Sequence, residues 1–290
     1  NVPFIYALQD IFPDSLVTAG LTKKNSPIYR IGRKIEDFTY RHADIIRTIS
    51  EDMKRNIMEK GVPEEKIRLI GNWIDTDTVA QVRDEDNRLF AELGIKETRF
   101  RVVYAGNLGF AQGVEVVVEA AKILQTDKDI EFIIFGAGAA EDSLKNAARG
   151  LDNFRFFPLL PMERVPEVYS LGHACVVCSK KGVGTVGVPS KTWSIMACSR
   201  PLLVAVDEGC ELQRLIADCE LGLVSEPENA NALAENIVKL KNDKVLRARQ
   251  GANARAYAVE TVGKEAALKK RVALLAEAMR HNGEREMASE

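Results

Sequence analysis

From Arg99 onward the chain repeats one theme, a short apolar run followed by a turn and an amphipathic stretch. This alternation constrains the fold more than any other feature. The apolar runs are 102–105, 132–135, 154–157, 174–178, 202–206 and 222–224. Stretches of helical periodicity follow them at 114–124, 141–148, 163–171, 191–197, 211–217 and 230–240. A strand that is apolar on both faces needs cover on both faces, which a parallel sheet flanked by crossover helices provides. Right-handed crossovers then make a doubly wound, Rossmann-like α/β domain over 98–250. In such a sheet ligands sit outside the carboxyl ends of the strands, so the loops after the runs are the candidate functional loops.

The first 78 residues repeat the theme on a smaller scale. Residues 4–8, 45–50 and 67–70 read as strands, and 28–40 and 51–60 as helices. Ser50 precedes Glu51 and Asp52, the pattern of an N-cap with acids in the first turn. Three strands make a thin sheet with an open edge, which is half of a Rossmann-like domain. Together with Asn rather than Met at position 1, this gives the expectation that an amino-terminal part of the natural protein is absent. The polar stretch 75–98 reads as a linker and 254–280 as one long helical tail, frayed from 282. A length of 290 residues fits about two domains.

Charge and cysteine usage exclude several classes. Lys plus Arg number 40 and Asp plus Glu 42, a net charge of −2, so no nucleic-acid partner is expected. No apolar run approaches the ~20 residues of a membrane-spanning helix, and no signal peptide is visible. Five scattered cysteines read as reduced thiols of a cytoplasmic protein. Cys175 and Cys178 have CxxC spacing, yet residues three apart on a strand point to opposite faces, so they read as buried thiols and not as metal ligands. His42, His173 and His281 read as structural, and Trp73 and Trp193 as packing residues. No metal and no cofactor is expected. Between residues 21 and 47, Lys23, Lys24, Arg30, Arg33, Lys34, Arg41 and Arg47 outnumber Glu36, Asp37 and Asp44. Ile28, Ile31, Ile35 and Phe38 mark one face of the helix there. That helix either lies on an anionic membrane or packs its apolar face on its own domain.

Three loops stand out. In the first, Tyr104-Ala105 ends a strand, Gly106, Asn107, Gly109, Gln112 and Gly113 follow, and a helix begins at Val114. Glycines let the backbone approach a phosphate and a helix start offers free N–H groups, so the loop reads as an anion cradle; a tight turn is the other reading. It is neither GxGxxG nor a Walker loop, so an ATPase is not expected. The second, Phe135-Gly136-Ala137-Gly138, again follows a strand. The third, 179–193, holds Lys180, Lys181, Gly182, Gly184, Gly187, Pro189, Ser190 and Lys191 between a strand and a helix. Ser190 is placed to cap that helix. Lys191 in its first turn opposes the helix dipole, which invites a role in neutralising a diphosphate; a solvated loop is the other reading.

These three loops, Val188-Pro189-Ser190-Lys191 and Ala197-Cys198-Ser199-Arg200-Pro201-Leu202 resemble in order and spacing the retaining glycosyltransferases of family 4 (group 1), which have the GT-B fold. Leu8-Gln9-Asp10-Ile11-Phe12-Pro13 and Tyr40-Arg41-His42-Ala43-Asp44 resemble the second half of that family's amino-terminal domain, in the branch that builds bacterial surface polysaccharides. The resemblance implies an acceptor-side partial domain at 1–78, completed by a returning helix at 254–282, and a donor-binding domain at 98–250. It implies transfer of a sugar from a nucleotide-diphosphate donor, most simply a UDP-sugar. The acceptor would be a glycan or a polyprenyl-diphosphate-linked sugar at the inner face of the membrane. Asp10 and Lys191 are the catalytic candidates. Gly106, Asn107, Gly109, Gln112, Gly113, Gly136, Gly138, Lys180, Lys181, Pro189, Ser190, Lys191 and Ser194 are the donor-binding candidates. The sequence departs from the family where a Glu-x7-Glu pair holds Val186 and Ser194, where a basic pair holds Asn107 and Gln112, and where a frequent His holds Gln9. An inactive nucleotide-sugar-binding fragment is the rival expectation, and a GT-B epimerase a weaker one.

Overall fold

In the computed structural model, which describes residues 2–18, 20–96, 98–183 and 188–287, β1 (Ile5–Ala7), α1 (Asp14–Thr18), α2 (Pro27–His42), β2 (Ile45–Thr48), α3 (Glu51–Glu59) and β3 (Ile67–Leu69) build a first unit. Its sheet is parallel in the order β1-β2-β3, with Ile5 beside Ile45 and Ile46 beside Ile67. The central strand β2 is buried along its length and its side chains alternate between faces. Ile46 joins Leu8, Tyr40, Met53, Ile57 and Ile67 in one core layer, while Ile45 faces the other. Ser26 caps α2 by accepting from Tyr29 N–H, and Ser50 caps α3 by accepting from Met53 N–H, both at 3.1 Å. The Ser50 cap is the one the sequence pattern called for.

The second unit holds residues 74–183 and 189–263. Its elements are α4 (Leu89–Leu93), β4 (Phe100–Asn107), α5 (Glu115–Ile123), β5 (Ile130–Ala137), α6 (Glu141–Ala147), β6 (Phe154–Phe157) and α7 (Val165–Leu171). After them come β7 (Ala174–Cys178), α8 (Lys191–Ala197), β8 (Leu202–Ala205), α9 (Glu211–Asp218), β9 (Gly222–Ser225), α10 (Ala230–Asn242) and α11 (Lys244–Glu260). All six strands are parallel, in the order β6-β5-β4-β7-β8-β9. That is the doubly wound order, whose winding reverses between β4 and β7. Val102, Phe132, Ile134, Val176 and Leu203 pack under Val117 and Ala121 of α5 and Leu233 and Ile237 of α10.

Two expectations need correction. The stretch read as a linker folds into the second unit. Leu89, Phe90 and Ile95 are buried, Asn87 donates to Glu167 O at 2.8 Å, and the Arg101 guanidinium lies 4.7 Å from the Phe90 ring. Three large apolar groups among the charges are enough to anchor it. The long tail is two helices and not one. Arg255 donates to Ala197 O at 2.9 Å and Ala254 and Ala258 are fully buried, which holds α11 to the second unit. Ile74 N–H donates to Val262 O at the break, and Ile74 pairs with Gly263 there.

The return to the first unit therefore begins with α12 (Lys264–Met287) and not at 254. Leu274 and Ala278 of α12 cover Ile45 and Ile70 on the second face of the small sheet. Arg68 Nε donates to both carboxylate oxygens of Glu277, at 3.0 and 3.1 Å.

Candidate functional site

The reversal of winding in the second unit sets the carboxyl ends of β4 and β7 side by side while their loops diverge. The last residues of β4 and β5 are in register, Gly106 with Gly136 and Asn107 with Ala137. Leu108 then locks the two turns together: its N–H donates to Ala137 O at 2.9 Å and its carbonyl accepts from Ala140 N–H at 2.8 Å. A Cβ on Gly136 or on Gly138 would come within 2.6 Å of Leu108 atoms, so neither position has room for a side chain. On the opposite side Gly113, with φ +60°, abuts the backbone of Ser179, and Lys180 N–H donates to Ala111 O at 2.9 Å. The three glycine loops thus form one continuous rim.

Lys191 reaches this rim from the first turn of α8. Its Nζ lies 3.8 Å from the centroid of the Tyr104 ring. From the other side it touches Gly106, where a Cβ would stand 2.8 Å from the nitrogen. Among the described residues no carboxylate or carbonyl accepts from this ammonium. Burial lowers its pKa to about 8, and the neighbouring Cys178 thiol opposes that shift. A cation that is partly desolvated, held among the described residues by a ring face and aimed beneath a glycine turn, is electrostatically incomplete; an anion completes it. Tyr104 is a site residue that sequence reading missed. It is fully buried in β4, and its hydroxyl donates to Asn107 O at 2.7 Å, which shapes the same turn.

The remaining candidates divide. Asn107 and Gln112 both turn toward Gly109: their side-chain atoms would lie 3.1 and 2.7 Å from a Cβ there. Lys180 Nζ stands 3.3 Å from Glu228 and 3.5 Å from Glu115, two carboxylates the sequence reading did not connect with it. Lys181 is exposed, and Gly182 N–H donates to the Asp207 carboxylate at 2.8 Å. Pro189 is partly buried. Ser190 does not cap α8, which corrects that expectation. Its backbone is already helical (φ −58°, ψ −29°), so the side chain cannot fold back onto the first turn. Ser194 sits one helical turn after Lys191 and is partly buried. Val186, Gly184 and Gly187 lie outside the described residues. Asp10 is exposed after β1 in the first unit.

Other titratable groups have structural settings. Cys175, Cys178, Cys198 and Cys210 are buried, and desolvation pushes the Cys178 and Cys198 thiols up to about 12. His173 stacks on Phe100, accepts from Arg101 N–H at 3.0 Å and is held neutral by burial and by Arg101, with its pKa lowered to about 3. Trp193 is buried. Among the described residues no group of three or more His, Cys, Asp or Glu side chains is placed to hold a metal ion.

Known proteins share this sequence pattern and this fold. The family profile "Glycosyl transferases group 1" matches residues 85–257, and "Glycosyltransferase Family 4" matches residues 1–78. The probable glycosyltransferase WbjE of Pseudomonas aeruginosa is 31% identical over 238 residues, covering 81% of this chain and 58% of that protein. The putative colanic acid biosynthesis glycosyl transferase WcaI of Escherichia coli K12 is 30% identical over 271 residues, covering 90% and 65%. The chain therefore spans about three fifths of the length of these relatives. Among solved structures, Anabaena Alr3699/HepE in complex with UDP superposes with a TM-score of 0.79 at 16% identity, over 95% of this chain and 72% of that one. WaaG, a glycosyltransferase involved in lipopolysaccharide biosynthesis, gives 0.70 at 18%, over 92% and 75%. At these identities the likeness is one of fold, and the fold is of the GT-B class.

Proposed function

Because the chain belongs to the glycosyl transferases group 1 family, we propose that it serves a retaining glycosyltransferase that moves a sugar from a nucleotide-diphosphate donor to an acceptor in bacterial surface polysaccharide synthesis. The observation that carries this is the Lys191 ammonium beneath Gly106, with the Tyr104 ring as its neighbour and an open anionic requirement. As the glycosidic bond breaks, the departing diphosphate gains negative charge. Lys191 and main-chain N–H groups of the glycine rim then stabilise it more than they stabilise the bound donor, which is electrostatic catalysis. A front-face route fits this best: the leaving phosphate helps to take the acceptor proton, with no carboxylate nucleophile assigned. HepE structures with UDP and with UDP-glucose support a uridine donor. The relative WcaI, named for colanic acid biosynthesis, and the fold neighbour WaaG, involved in lipopolysaccharide biosynthesis, support an acceptor on the way to a surface glycan, which we take to be lipid-linked. Asp10 is assigned to the sugar or acceptor.

Isothermal titration with UDP tests the reading. We expect measurable affinity for this chain and at least a tenfold loss in Lys191→Met; unchanged affinity in the variant removes Lys191 from the site. Ser194, a hydroxyl where the family carries a carboxylate, favours a second reading in which the chain binds nucleotide sugar without turnover. Donor hydrolysis or transfer measured alongside binding separates the two.

A further inference from the structure

Two surfaces of the first unit are left unfinished by its own residues. Helix α2 keeps Ile28, Ile31, Ile35 and Phe38 exposed, so the expectation that this stripe packs on its own domain is overturned. The other surface is a pair of arginines at the carboxyl edge of the small sheet. Arg47, in β2, is only 7% exposed. Its Nε donates to Ile70 O at 2.8 Å, and its Nη2 to Gly71 O at 3.3 Å and to Asn72 Oδ1 at 3.4 Å. Among the described residues nothing accepts from its Nη1. Helix α12 delivers the second guanidinium. Leu274 packs with Ile70, and one turn earlier Arg271 stands over Trp73, its guanidinium carbon 6.0 Å from the ring centroid. The Arg271 Nε is shut off from water and has no acceptor. Among the described residues Arg271 makes no hydrogen bond and no ion pair. Trp73, expected to be a packing residue, is 36% exposed.

Both guanidinium groups therefore converge on residues 71–73, one from a strand and one from a helix, and among the described residues neither meets a carboxylate. Burial pushes the Arg47 pKa down, and the Arg271 charge adds to that. Two like charges drawn together, one with a buried donor left unpaired, are costly without a counter-ion. A phosphate group is the anion that fits. It brings three acceptor oxygens and close to two negative charges to two forks that arrive from different elements, whereas a carboxylate brings two oxygens and one charge. Ligands of a parallel sheet sit outside the carboxyl ends of its strands, which is where residues 70–73 leave β3. Arg271 is partly exposed and Trp73 lies open beside it, so the approach is clear. We propose that Arg47 and Arg271, with Trp73 beside them, form a binding site for a phosphate group, either free or carried on a sugar. The site lies wholly within the first unit and does not depend on the donor reading, whose diphosphate belongs to the glycine rim.

The full 290-residue chain has two tryptophans and hence two indole N–H resonances, which Trp73→Phe assigns. The test is to follow them by nitrogen NMR while inorganic phosphate, glucose 1-phosphate or acetate is added at constant ionic strength. We expect a saturable shift of the Trp73 resonance with a phosphate probe and none with acetate. Tighter binding of glucose 1-phosphate names a phosphorylated sugar as the source, and tighter binding of inorganic phosphate names the free ion; either order supports the site. Arg271→Gln should weaken binding about tenfold, as the loss of a charge-assisted hydrogen bond does. Arg271→Lys keeps the charge without the fork and should recover part of that loss. Because Arg47 also holds residues 70–72, it is tested as Arg47→Lys, with circular dichroism to show folding, and should weaken binding by about threefold or more. If that variant fails to fold, the Arg271 pair decides alone. Lys269→Gln, exposed on the same helix, should change affinity less than about twofold. Absence of a phosphate-dependent Trp73 shift overturns the proposal. So does an equal response to acetate, or a loss in Lys269→Gln as large as that in Arg271→Gln, which would mean a diffuse positive field. A shift of Trp193 alone would set the phosphate beside Lys191, which overturns this site while supporting the donor reading.

Discussion

At the scale of single residues, the role proposed for Lys191 sets function against stability. Its ordinary pKa of 10.5 falls to about 8 on burial, a shift that costs the fold about 3 kcal/mol at neutral pH. The Tyr104 ring returns about 1–2 kcal/mol as a cation–π contact. Below pH 8 both native and unfolded chains carry the proton and the cost is present in full. Between pH 8 and 10.5 the unfolded chain holds more protons than the native one, so stability rises with pH through that window. Lys191→Met should therefore be more stable than the parent by about 1–2 kcal/mol at pH 7. Its advantage should shrink toward zero by about pH 10, measured by urea unfolding at several pH values. UDP affinity of the parent should run the other way and fall as pH passes about 8, where Lys191 gives up its proton. The lysine and the glycines were legible in the sequence as types at spacings. Tyr104 was not, because only the folded sheet shows which face of β4 the α8 side chain meets.

At the scale of elements, all six strands were legible, β4 and β5 as the middle halves of longer strands and the other four to within a residue, because continuous apolar runs and helical stripes report burial directly. What stayed hidden was governed by tertiary contact. The interlock of Leu108 with Gly136 and Gly138 depends on the parallel register of β4 and β5, residues about thirty apart in sequence. Ser190 is the right residue type at the right place for a cap, yet the loop delivers it in a helical conformation. Helix α4 was lost among the charges of 84–92 because three buried side chains are too few to set a period. Their anchoring is measurable. Phe90→Ala removes a ring that is 6% exposed and stacked beneath Arg101. It should cost about 3–4 kcal/mol in urea unfolding. A cost under about 1 kcal/mol, typical of surface changes, would mean that 84–95 behaves as the linker its composition suggests.

At the scale of the whole molecule, the chain leaves the first unit, builds the second and returns to the first through α12. Periodicity showed the helix, and the family resemblance implied its return to the first unit, though from 254 and not from Lys264. Leu274 and Ala278 against Ile45 and Ile70, with Glu277 gripping Arg68, are the contacts that make this return. The consequence is that the small sheet depends on residues two hundred positions away, whereas the six-stranded sheet holds its core and its glycine rim within itself. Ending the chain after Gly263 uncovers Ile45 and Ile70 on one face of a three-stranded sheet, and a sheet that thin has little independent stability. The truncated chain should lose hydrogen-exchange protection across β1, β2 and β3 while β4, β5 and β7 stay protected and UDP affinity changes by less than about threefold, well under 1 kcal/mol. Retained protection in β2 would show that α2 and α3 suffice to hold the small sheet. Loss of protection in β4 would show that the second unit's stability reaches beyond its own residues.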